Sequence, residues 1–115
     1  MAFVLIVDTQ VDLRGQLIRA LEQAGHRAAA VATVSQAAQI LAAEPPDLLA
    51  TNVTLTDGSS AALIRQAEAL GVKTLMTTGS PDRILEFDGA GQPYLSKPFP
   101  DGAFLQRVNE LVGPR

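Results

Sequence analysis

Five short apolar runs recur along the chain, each followed by a segment with helical spacing, and this alternation limits the folds open to it. Phe3 to Val7 is continuously apolar and stops at Asp8, the pattern of a strand covered on both faces. Residues 11–24 place Leu17, Leu21 and Ala24 on one helical face, with Leu13 and Ile18 alongside, and Gly25 stands where a helix ends. Arg27 to Ala32 is a weaker, Ala- and Val-rich strand. Ser35 is the expected cap of a second helix, which Pro45-Pro46 stops. Leu48 to Val53 reads as the third strand, followed by a turn at Asp57-Gly58. Ser60 is the expected cap of a third helix, with Leu63, Ala67 and Leu70 in register and Gly71 at its end. Thr74 to Thr77 is the fourth strand, and Pro81 opens a short helix reaching about Phe87. Tyr94 to Ser96 is the fifth strand. Pro100 and Asp101 then start a last helix carrying Phe104, Val108 and Leu111, with Gly113-Pro114 after it.

Strands that alternate with helices imply a parallel sheet with right-handed crossovers and a helical layer on each face. The 115 residues fit one domain spanning 1–115, and 47% hydrophobic residues suffice for an ordinary core. No effector domain is expected within this length. A net charge of −3 argues against a nucleic-acid binder that works through a basic face. Without cysteine there are no disulfides, thiol nucleophiles or zinc fingers. His26 stands alone and is read as a solvated surface residue, and Arg14, Arg19, Arg65 and Arg83 as scattered surface charges. No nucleophile, base and acid converge from this composition, so an enzyme is not expected. No run approaches the roughly 18–20 apolar residues of a membrane span, and the expectation is a soluble cytoplasmic domain.

In a doubly wound sheet, function sits at the carboxyl ends of the strands, near the switch in strand order. The residues there are Asp8, Thr9, Asn52, Thr78 and Lys97. They fall within the segments Val4-Leu5-Ile6-Val7-Asp8, Pro46 to Asn52, Leu55-Thr56-Asp57-Gly58, Met76-Thr77-Thr78-Gly79 and Tyr94-Leu95-Ser96-Lys97-Pro98-Phe99. In this order and spacing, the sequence resembles the receiver domain of bacterial response regulators over essentially its whole length. The resemblance implies a flavodoxin-like, doubly wound sheet of five parallel strands in the order 2-1-3-4-5, and a cis bond at Lys97-Pro98. It implies a place in two-component phosphorelay signalling, with a histidine kinase or another signalling protein as partner. A typical receiver has an acidic pair after its first strand and an aspartate after its third. These hold Mg²⁺, and the third-strand aspartate accepts a phosphoryl group. Here the pair reads Asp8-Thr9, the acceptor position is Asn52, and Thr78, Lys97 and Tyr94 stand at the switch, lysine and aromatic positions.

An aspartyl phosphate forms when a carboxylate oxygen attacks phosphorus, and the neutral amide of Asn52 is a poor nucleophile. Mg²⁺ is commonly held by one or two carboxylates, and only Asp8 remains. The backbone carbonyl of Thr54, a ligand by resemblance, would not compensate alone. The expectation is therefore a pseudo-receiver without phosphoryl switching, with Mg²⁺ binding weak or lost. In it Lys97 pairs with Asp8 or bonds the Asn52 carbonyl. Such a chain would act as a protein-interaction module, a monomer or weak dimer, with Tyr94 either packed or on the partner surface. The short fourth helix and Gly89 and Gly91 suggest a loosened face there. The alternative is a flavodoxin-like domain binding a small molecule or nucleotide. Its loop after the first strand, Asp8-Thr9-Gln10-Val11-Asp12, is acidic and lacks glycine, leaving Thr77 to Ser80 as the only candidate anion loop.

Overall fold

The computed structural model describes residues 1–113. Its central sheet is built from β1 (Phe3–Val7), β2 (Arg27–Val31), β3 (Leu48–Asn52), β4 (Lys73–Thr78) and β5 (Tyr94–Ser96). Between and after them run α1 (Val11–Gln23), α2 (Val34–Ala43), α3 (Ala61–Ala69), α4 (Pro81–Ala90) and α5 (Asp101–Val112). The strands are all parallel and lie in the order β2-β1-β3-β4-β5. The doubly wound sheet expected from the alternation is therefore the fold of the chain. The Lys97–Pro98 bond is cis. No described helix is long and apolar enough to cross a membrane.

The period of two along β1 divides the core. Val4 and Ile6 face α1 and α5, where they meet Leu17, Leu21, Phe104 and Val108. Leu5 and Val7 face the other way, onto Ala37 and Leu41 of α2 and Leu63 and Ala67 of α3. Both faces of β1 are thus sealed, which is why the run is apolar without interruption. A third, smaller cluster joins Val53, Met76 and Phe87 beneath α4.

Several boundaries differ from the sequence reading. Thr33, not Ser35, caps α2: its side chain accepts from the Gln36 N–H at 3.1 Å. Ser35 lies inside the first turn, and its N–H is held instead by Asp57 at 3.2 Å. Ser60 occupies the cap position of α3 but makes no capping bond with its side chain. α4 does not stop near Phe87; it continues through Gly89 to Ala90 and closes on Gly91, whose φ of 70° is left-handed. β3 gives up Val53, while β4 gains Lys73 and Thr78. Pro114 lies outside the described residues. The turn at Asp57-Gly58 closes a short hairpin, pairing Thr54–Leu55 with Gly58–Ser59.

Asp57 at the tip of that hairpin serves a neighbour distant in sequence. Its two carboxylate oxygens accept from the N–H groups of Val34 at 2.8 Å and Ser35 at 3.2 Å. An anion at a helix N-terminus satisfies orphan donors and complements the helix dipole. The Val34 bond chiefly, opposed by some burial and aided by Ser35, holds the Asp57 carboxyl below its ordinary range.

Two outcomes follow from this packing. Phe104, fully buried, should lose about 3–5 kcal/mol of stability on truncation to alanine, whereas the exposed Leu85 should lose under about 0.5 kcal/mol, both read by urea unfolding. Asp57→Asn should be less stable than wild type at neutral pH. Because the folded carboxyl titrates lower than the unfolded one, that advantage is complete above about pH 4 and disappears as pH falls further, as melting curves would record.

Candidate functional site

The carboxyl ends of β1, β3, β4 and β5 bring the polar strand-end residues to one edge of the sheet. Asp8 follows β1 and is 2% exposed. A buried carboxylate needs donors, and here each oxygen has one. Oδ2 accepts from Lys97 Nζ at 2.7 Å, and Oδ1 accepts from the Gln10 N–H at 2.9 Å. The Lys97 ammonium also reaches the Gln10 side-chain oxygen at 3.4 Å. Its side chain is 19% exposed, so the pair lies mostly out of water. Of the two expected arrangements for Lys97, the structure adopts the one with Asp8.

Asn52 ends β3 and is half-buried. Its side-chain amide turns to its own loop, with Nδ2 donating to the Thr54 carbonyl at 2.8 Å. Thr9, beside Asp8, is exposed and takes no part in the side-chain hydrogen bonds of the described residues. Thr78 is buried, and its hydroxyl accepts from the Ser80 N–H at 3.0 Å, closing the turn into α4. The Thr78 carbonyl accepts from the Lys97 N–H at 2.8 Å, which ties the end of β4 to the end of β5. Asp8, Asn52, Thr78 and Lys97 therefore share one sheet edge, but of their side chains only those of Asp8 and Lys97 bond each other.

Tyr94 lies apart from this group, on β5. Its ring packs against Phe87 with centroids 6.2 Å apart, and its carbonyl accepts from Arg107 at 2.8 Å. The Asp88 carboxylate beside it, with partial burial, raises the phenol above its ordinary range.

Two surface readings need correction. Arg14 is half-buried and donates through Nη1 to the Asp8 carbonyl at 2.7 Å, bracing the loop between β1 and α1. His26 is also half-buried, and its Nδ1 accepts from the Ala2 N–H at 3.1 Å. Sequence reasoning also missed Gln10 as a partner of both Asp8 and Lys97. Its place two residues after Asp8, where a short loop can fold back on the carboxylate, was the available signal.

A magnesium ion, which the receiver resemblance brings with it, is poorly served by these donors. Asp8 is the one carboxylate among them and its two oxygens accept from Lys97 and Gln10, while Asn52 offers a neutral amide oxygen and Thr9 no carboxylate. No three His, Cys, Asp or Glu side chains gather as a metal site among the described residues.

Comparison with known proteins bears on the fold. No family model matches the chain. It is 33% identical over 112 residues to the KDP operon transcriptional regulatory protein KdpE of Escherichia coli, across 94% of this chain and 50% of that protein. The chain thus spans about half the length of the curated relative it matches. A CheY-like response regulator receiver domain protein from Methanospirillum hungatei superposes with a TM-score of 0.86 at 25% identity, covering 97% of this chain and 94% of the other. A two-component response regulator from Clostridium difficile gives 0.85 at 21% identity, covering 97% and 96%. Strand order, helical layers and these similarities together give the chain the fold of CheY-like response-regulator receiver domains.

Proposed function

We propose that this chain is a pseudo-receiver: a signalling module that works by binding a protein partner, without phosphoryl transfer to position 52. The observation that carries the reading is the Asp8–Lys97 pair at 2.7 Å, next to an amide instead of a carboxylate at the end of β3. In a phosphoryl-accepting site, catalysis rests on positioning and on neutralising charge, with Mg²⁺ bridging ligand and protein oxygens. Here one acid and one ammonium neutralise each other directly, so the site gains nothing electrostatically from a cation. The Asn52 oxygen carries no formal charge with which to attack phosphorus. Thr78 keeps its hydroxyl in a local turn, and in this reading it has no phosphoryl oxygen to follow.

The partner is a protein, a histidine kinase or another member of a two-component pathway, and not a nucleic acid. The chain works as a monomer or weak dimer. Tyr94, half-buried against Phe87 with Asp88 and Arg107 beside it, belongs to the surface offered to that partner.

Two measurements test this reading. Incubated with acetyl phosphate and Mg²⁺, the wild-type chain should show no phosphoryl adduct by intact mass, and beryllofluoride should not shift its spectrum. The double variant Thr9→Asp, Asn52→Asp should respond to both; a stoichiometric adduct on the wild type would overturn the proposal. Removing one member of the ion pair should expose the same electrostatics. Lys97→Met leaves a buried carboxylate without its cation and should cost about 2–3 kcal/mol, below the usual range for fully buried pairs because Lys97 is partly solvated. Adding Asp8→Asn should return part of that loss, read as a double-mutant cycle in urea.

A further inference from the structure

The thinnest part of the core adjoins α4. Phe87 is the only residue of α4 that is buried, so little side-chain volume draws this helix onto the sheet. A cleft of about 400 Å³ remains between α3 and α4, within the size range of ligand sites. Its apolar wall is formed by Val53, Met76 and Phe87, the small third core cluster, and by Ile64 packed against it.

Around this wall Ser59, Ser60 and Gln92 contribute neutral polar groups, and the charged groups are two cations and one anion. Arg65 from α3 and Arg83 from α4 line the cleft, with Glu86 as the one carboxylate. Arg83 pairs with Glu86 at 3.3 Å, while Arg65 enters none of the ion pairs among the described residues. The cleft therefore carries an excess positive charge on a chain whose net charge is −3. Ser60 is 2% exposed and lines the same space, and its side chain makes no capping bond to α3.

We propose that this cleft binds an amphipathic monoanion: a small ligand with an aliphatic or aromatic body and a single carboxylate or similar head group. The body covers Val53, Ile64, Met76 and Phe87. The head group meets the Arg65 guanidinium, with the Ser60 hydroxyl available as a second donor. An arginine fork suits a carboxylate geometrically, and the exposed Arg65 can meet the head group at the mouth of the cleft while the apolar wall covers the body. Val53 directly follows Asn52, so a ligand seated here touches the loop at the sheet edge. The inference stands whether or not Asn52 accepts a phosphoryl group.

The probe is octanoate, titrated into the full chain and followed by proton–nitrogen correlation NMR, with octanol as the neutral control. Saturable shifts are expected at Val53, Ile64, Arg65 and Phe87, with octanol binding about fivefold more weakly, the scale of one exposed charge contact. Arg65→Gln combined with Arg83→Gln should bring octanoate to the octanol level while leaving the melting temperature unchanged. Absence of saturation, shifts centred on the α1–α5 face, or undiminished octanoate affinity in the double variant would overturn the proposal. So would shifts of these residues that depend on protein concentration alone, since the cleft would then seat a second copy of the chain.

Discussion

A carboxylate buried at the edge of a parallel sheet must be matched by donors, and Asp8 is matched from two directions. Lys97 approaches from the segment after β5, and the Gln10 N–H from the loop before α1. Arg14 holds the backbone of Asp8 from the first turn of α1. These contacts join the end of the first strand to the segment after the last. With Lys97 committed to Asp8, the Asn52 amide bonds its own loop, and the Thr78 hydroxyl bonds its own turn. The result is a site with one internal ion pair, whose other polar side chains bond their own loops. A site built for Mg²⁺ and phosphate differs in kind, because its excess of carboxylates requires a cation.

The sides of the molecule are not equally consolidated. The α1–α5 layer is locked by Leu17, Leu21, Phe104 and Val108 against β1 and β3. The α2–α3 layer has its own apolar cluster, and Asp57 adds a hydrogen-bonded tie from the hairpin to the start of α2. α4 has only Phe87 to hold it, supported by Tyr94. Such an element is the natural place for a cleft, since a void persists where too few side chains are present to fill it.

Much of this architecture was legible in the sequence, because the signals for it are local. The uninterrupted run from Phe3 to Val7 announces a strand sealed on both faces, and the spacing of Leu17 and Leu21 announces the helix that covers one of them. Other details were not legible. Ser35 looks like a helix cap, yet Thr33 takes that role at the Gln36 N–H, and Asp57, from another part of the chain, takes the N–H groups of Val34 and Ser35. Arg14 reads as a surface charge and His26 as a solvated surface residue, but each is half-buried and bonded to a backbone group, the Asp8 carbonyl and the Ala2 N–H.

The sequence by itself determined the elements, their order, and the residue types delivered to the carboxyl ends of the strands: an acid after β1, an amide at the end of β3, a threonine ending β4, and a lysine after β5. Those choices are made one segment at a time, by side-chain periodicity and by turn residues. Only the tertiary structure decided which of them meet. Lys97 and Asp8 are 89 positions apart, and Asp57 and Val34 are 23 apart. Neither meeting is encoded in any local pattern. Both follow from the register of a sheet in which β1 and β3 are neighbours, and from the burial that makes a partner obligatory once a charge is carried inside.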